Sequence, residues 1–244
     1  MEEARSYEMT GYSVWPYTNE HSREPFHILE RSRQFFYSFK NGRPYRYDEK
    51  SLDFDAIVES LIVKARACPA FDEASLLVPV PRSGMSERSF VQDAEAYPCR
   101  VLAQRLADAL PHGHRAVDLF TRCSPLPPSS LAGRRPSLLE HMNSLSLDLQ
   151  RIEPRPVVLI DDLLTKGTQS MACLVKLRRS GFAPLISGFY VSQTVHRGPS
   201  ILQQQPYLLH RIEYRSGNDY PRRYESSAWR DCPNQGFSGL SDSG

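Results

Sequence analysis

Residues 157–170 read Val-Val-Leu-Ile-Asp-Asp-Leu-Leu-Thr-Lys-Gly-Thr-Gln-Ser. Four apolar residues run into two adjacent carboxylates, a short loop with hydroxyls and a glycine follows, and a helical pattern then begins. Paired acids at the end of a buried strand repel one another unless a cation or hydroxyl partners engage them. Asp161 and Asp162 suit the hydroxyls of a ribose. Thr165, Gly167 and Thr168 offer hydroxyls and close backbone approach to a phosphate, and Lys166 adds charge. The pattern predicts a site for a phosphorylated sugar; its plain alternative is a solvated strand-to-helix turn with a capping aspartate.

The elements that must position these residues alternate between strand and helix from residue 75 onward. Residues 75–80 form a short apolar strand ending at Pro81. Cys99, Leu102, Ala103, Leu106 and Leu110 recur with helical period, 116–120 is a second strand and 155–160 a third. The next helix carries Met171, Leu174, Val175 and Leu177 and stops at Gly181, and 185–191 is a fourth strand. Such alternation implies an α/β fold with a parallel sheet flanked by helices. Between the second and third strands, residues 124–150 are rich in Pro, Ser and Arg, a length at which loops are commonly functional.

Upstream, residues 1–25 show no clear period and read as a loose extension on which Trp15 and Tyr17 can dock. Residues 34–47 predict a hairpin turning at Asn41-Gly42. Residues 51–67 predict a helix with Phe54, Ile57, Val58, Leu61 and Ile62 on one stripe, capped by Ser51 or Asp53. The expected organisation is an N-terminal extension over 1–70, the α/β domain over 71–215, and a mobile tail over 216–244.

The formal net charge of +2 gives no reason to expect nucleic acid as a partner. No apolar run approaches the roughly 18 residues of a membrane span, and the first residues lack a secretory pattern, so a cytoplasmic location is expected. The cysteines (68, 99, 123, 173, 232) form no C-x-x-C pair, which argues against a zinc ribbon or a disulfide framework. His112 and His114 lack a third ligand at useful spacing and read as a loop; Cys173 reads as core. Phe35, Phe36 and Tyr37 read as an ordinary hairpin face rather than a stacking platform for bases.

Residues 157–170 resemble the ribose-phosphate signature of type I phosphoribosyltransferases. Leu77-Val-Pro-Val-Pro-Arg-Ser-Gly84 is similar to that family's first strand and pyrophosphate loop. The Pro-Val-Pro wording, with Glu87-Arg-Ser-Phe90, is most similar to the ComF-like, amidophosphoribosyltransferase-related branch. Leu131-Ala-Gly-Arg-Arg135 and His141-Met-Asn143 resemble a worn form of that branch's hood. The likeness covers about residues 75–195. Lys166 and Gln169 depart from the family pattern, and the branch's N-terminal zinc-ribbon cysteines are absent.

The resemblance implies a Mg²⁺-dependent transferase that joins the phosphoribosyl group of 5-phosphoribosyl-1-diphosphate (PRPP) to a nucleobase or amine and releases pyrophosphate. Asp161 and Asp162 would then hold the ribose, and Thr165, Lys166, Gly167, Thr168 and Gln169 the 5-phosphate. Arg82, Ser83 and Gly84 would hold the pyrophosphate, with Arg134 and Arg135 closing from the hood. The Mg²⁺ would arrive with PRPP, with Asp161 and Asp162 as possible ligands. Tyr190 and Val191 would lie where the family reads the base, and a homodimer is expected. The alternative on the same fold is a non-catalytic regulatory module that binds PRPP or a nucleotide.

Overall fold

The computed structural model describes residues 5–18, 26–47, 50–84, 97–127, 135–195 and 207–225. Its centre is a seven-stranded sheet in the order β11-β10-β1-β9-β8-β4-β5. The strands are β1 (Ser6–Thr18), β4 (Leu76–Pro79), β5 (Arg115–Ala116), β8 (Val157–Leu164), β9 (Ile186–Val195), β10 (Leu208–Arg215) and β11 (Arg222–Glu225). From β1 through β9, β8 and β4 to β5 every pairing is parallel; β10 and β11 add an antiparallel hairpin beside β1. The four residues of β4 and the first five of β8 are all buried, as expected of parallel strands covered on both faces.

Two layers of helices supply that cover. On one face, α1 (Phe26–Lys40), α2 (Phe54–Ala65) and α3 (Pro98–Ala109) close a core that includes Phe39, Ile57, Leu61, Leu102, Leu106 and Phe189. On the other, α4 (Leu138–Asn143) and α5 (Thr168–Arg179) pack with a short antiparallel pair, β6 (Phe120–Arg122) and β7 (Leu145–Leu147). That core includes Phe120, Leu138, Met171, Leu174, Tyr190 and Ile212. Among the described residues no helix is long and apolar enough to cross a membrane.

The expected parallel α/β core is present, and three expectations for the flanks are corrected. Residues 6–18 are not a loose extension but an interior strand, pairing with β9 on one side and β10 on the other. The strand turns Tyr7 and Met9 to one core and Tyr12 and Val14 to the other. With two buried faces, its pattern is too mixed to announce a strand.

The hairpin expected over 34–47 is instead the end of α1. Phe35, Phe36 and Phe39 are buried at helical spacing. The Asn41-Gly42 pair closes the helix rather than a turn between strands. Gly42 adopts φ 61°, its amide reaches the Phe39 carbonyl at 3.0 Å, and the Arg43 amide reaches Ser38 at 2.9 Å. Those paired bonds form a Schellman cap, which the same Asn-Gly chemistry serves equally well. The following residues do form a small hairpin, β2 (Tyr45–Tyr47) with β3 (Lys50–Leu52), and Asp53 caps α2 through the Ala56 amide at 2.7 Å.

The third correction concerns the tail. Arg222–Glu225 continues the sheet as β11, and Arg223 donates to the carbonyls of Leu164 and Thr194, each at 2.9 Å. A half-buried guanidinium bonded to two carbonyls near the strand ends gives this segment a fixed place that its polar composition conceals. The strand expected over 116–120 also divides: β5 stops at Ala116, and β6 begins at Phe120 to pair with β7.

Candidate functional site

Parallel strands deliver the candidate residues to one end of the sheet, where open α/β sheets hold their ligands. The Val80 amide bonds the Ile160 carbonyl at 2.9 Å, so the loop after β4 begins beside Asp161. Arg82 Nε then stands 4.0 Å from Asp162 Oδ2, with its guanidinium over the Tyr97 ring at 5.3 Å. Ser83 Oγ donates to Gln169 Oε1 at 3.1 Å. The acids, the expected pyrophosphate loop and the expected phosphate loop therefore converge. Gly84 sits at the exposed edge with open space where a side chain would be.

The two acids occupy different surroundings. Asp161 is buried; its Oδ1 accepts the Asp162 amide at 2.9 Å and its Oδ2 faces the Ser170 hydroxyl at 3.4 Å. Burial, and then the charge of Asp162, hold the Asp161 carboxyl well above the usual carboxylate range. Asp162 is partly exposed, faces Arg82 and is the more available of the two.

After Leu164 the chain turns through Thr165 and Lys166 to Gly167, whose φ of 75° starts α5. A Cβ on Gly167 would lie 3.0 Å from Ile212 Cδ1, so both dihedral and space call for glycine. Gly167 provides no side chain to cap the first amides of α5, which remain available to an anion. Thr165, Gly167, Thr168 and Gln169 line a cavity of about 60 Å³ with Ser83, Asp161 and His141.

Lys166 and Arg135 stand at the rim of the cavity, and both are engaged by the turn between β10 and β11. The Lys166 ammonium lies 4.6 Å over the Tyr220 ring. The Tyr220 hydroxyl donates to the Arg135 carbonyl at 2.7 Å, and the Asp219 carbonyl accepts the Leu138 amide at 2.8 Å. The β10–β11 hairpin thus lies over Lys166 and the start of α4. Arg134, with residues 85–90 and 131–133, falls outside the described residues. His141-Met-Asn143 belongs to α4.

Sequence reasoning missed Arg122. This side chain is fully buried, yet it donates to the carbonyls of Pro81 at 3.0 Å and Arg82 at 2.8 Å, to the Ser144 hydroxyl, and to Gln169 Oε1 at 2.9 Å. It fastens the loop after β4 to the first turn of α5, and its charge favours an ionised Asp161. No motif surrounds it in the sequence; the only signal is an arginine at the end of a short strand that begins with Phe120. Tyr190 and Val191, expected to meet a base, are core residues instead. The Tyr190 ring fills the space above Gly188 and Gly11.

His114 is likewise structural, with its Nδ1 bonded to the Ser75 hydroxyl at 2.8 Å and its ring edge-on to Phe71. Among the described residues no three His, Cys, Asp or Glu side chains gather as a metal site. Compared with known proteins, no family model matches the chain, and no curated protein matches its sequence.

Proposed function

We propose that this protein is a Mg²⁺-dependent phosphoribosyltransferase that uses PRPP and a nucleobase or amine and releases pyrophosphate. The observation carrying the reading is the convergence, at the carboxyl ends of β4 and β8, of three parts: a carboxylate pair, an Arg-Ser loop and a glycine-started helix. In this reading Asp162 orients the ribose hydroxyls, with buried Asp161 behind it. The bond from ribose C1 to the diphosphate oxygen breaks, and the acceptor nitrogen bonds to C1. Positive charge that builds on the ribose is favoured by the adjacent carboxylates. Arg82 and the Ser83 hydroxyl face the departing diphosphate, for which a guanidinium provides paired donors. The first amides of α5, with Thr165 and Thr168, hold the 5-phosphate. Bound Mg²⁺ would neutralise diphosphate charge, with Asp162 as the available protein carboxylate.

A second reading, a non-catalytic module that binds PRPP or a nucleotide, is favoured by the closed state of the loop. Lys166 rests on Tyr220, and Ser83 and Arg122 already occupy Gln169. Calorimetric titration of Mg²⁺ and PRPP into the wild type and the Asp161→Asn, Asp162→Asn double variant tests both. The expected result is binding by the wild type that the double variant loses. Pyrophosphate release on adding bases or amines selects the transferase; binding without release selects the module. No binding by the wild type defeats both readings.

A further inference from the structure

His141 is one of three described histidines that bury a ring nitrogen without a hydrogen-bond partner. The other two, His114 and His210, each bond a serine hydroxyl through their second nitrogen, Ser75 at 2.8 Å and Ser13 at 2.9 Å. His141 has no such anchor. Its side chain is only 4% exposed and borders the cavity at the start of α5. Leaving a buried donor or acceptor unpaired is costly, which singles out a position where a ligand supplies the partner.

The helix that carries the ring is held firmly in place. Ser137 and Glu140 form a reciprocal capping box at the start of α4, and the Leu138 amide is tied to Asp219. From α5, Lys176 Nζ reaches the Met142 carbonyl at 3.2 Å. Gly167, Thr168 and Gln169, at the start of α5, line the same cavity, and the amides of a helix start favour an anion. A space of about 60 Å³, open to solvent on one side, suits one phosphoryl group and leaves the rest of a ligand outside.

We propose that His141 is a binding residue of this cavity, its neutral imidazole donating from Nδ1 to an oxygen of a phosphate monoester seated on the start of α5. Burial and the nearby Arg122 push its pKa down to about 4, so the ring meets the ligand as a neutral donor. The proposal rests on the phosphoribosyl reading, and adds to it a contact from outside the loop of residues 165–169.

The test uses the full chain and ribose 5-phosphate, ribose and inorganic phosphate as probes, with the wild type, His141→Leu and His141→Asn. Asparagine keeps an amide donor near the Nδ1 position. Calorimetry should show ribose 5-phosphate bound more tightly than ribose. Affinity should fall about tenfold or more in the leucine variant and stay within about threefold of wild type in the asparagine variant. Nitrogen-resolved NMR of the wild-type histidines should show one ring N–H moving downfield on titration, a signal missing from His141→Asn. If the leucine variant does not fold, the asparagine variant and the NMR titration decide.

Unchanged affinity in the leucine variant, or no histidine signal that moves, overturns the assignment of His141. If PRPP binding still depends on Asp161 and Asp162, the phosphoribosyl reading survives that failure. Absence of ribose 5-phosphate and PRPP binding in the wild type defeats both. Binding of inorganic phosphate alone, with the His141 signal, upholds the contact and makes free phosphate its ligand.

Discussion

Arg122 Nη2 donates to Gln169 Oε1 at 2.9 Å, joining a buried residue of β6 to the first turn of α5. The same nitrogen bonds the Pro81 carbonyl at 3.0 Å, so one guanidinium sets the spacing between the loop after β4 and the start of α5.

Arg122→Met should therefore damage both stability and binding. Removing the guanidinium strands the Pro81 and Arg82 carbonyls, while Gln169 Oε1 keeps Ser83 and the Ser144 hydroxyl keeps the His141 carbonyl, a loss of about 3 kcal/mol. Urea unfolding checks the stability, and PRPP titration the loss of affinity. A stability change below about 1 kcal/mol would mean that the tie is dispensable.

Asp161→Asn should separate stability from function. The folded carboxyl titrates above its ordinary value of 3.8, so the ionised form costs the native state stability as pH rises through and beyond that value. An asparagine avoids this cost and can still accept the Asp162 amide. Thermal melts should show the variant more stable than the wild type at pH 8, the difference shrinking toward pH 4, while PRPP affinity falls. A variant that melts lower at pH 8 would contradict this.

Gly167→Ala should cost about 1–2 kcal/mol, because the left-handed dihedral and the Ile212 contact act together. Adding Ile212→Ala removes the clash and leaves the dihedral strain. A double-mutant cycle should return a favourable coupling of roughly 0.5 kcal/mol or more between the two sites. Strict additivity would show that the contact with β10 does not constrain the loop.

Acid should destabilise the fold through two histidines. Burial, with the charge of Arg223, lowers His210 to about 3, and burial with Arg122 lowers His141 to about 4, both from an ordinary 6.5. Between those values the unfolded chain binds more protons, so stability is complete above 6.5 and declines as pH falls. Each group contributes a slope of up to about 1.4 kcal/mol per pH unit. Denaturant midpoints measured from pH 7.5 to 4.5 in the wild type and in His210→Gln should show the shallower slope in the variant.

The short-range part of this protein is legible from its residues. Val157-Val-Leu-Ile followed by Asp161-Asp162 states a buried strand and the two acids it carries within six positions. Gly167 and the apolar spacing of Met171, Leu174 and Val175 then begin α5. Local dihedral preference and hydrophobic period act over a few residues, and they place the strand and the helix; the strand itself runs on past the two acids to Leu164, because β9 continues to pair with it. Asn41-Gly42 marks the limit: local preference required a positive φ at Gly42 but did not distinguish a helix cap from a hairpin.

Tertiary structure decided what depends on neighbours distant in the chain. Ser6–Thr18 is a strand because β9 and β10 satisfy its backbone, although its side chains follow no simple period. Arg122 can be buried only because Pro81, Arg82, Ser144 and Gln169 meet it there, and Tyr220 reaches Lys166 only through the curl of the β10–β11 hairpin. Hydrogen bonds and cation–π contacts need precise positions in space rather than spacing along the chain, so the residues between them carry no trace of the partnership.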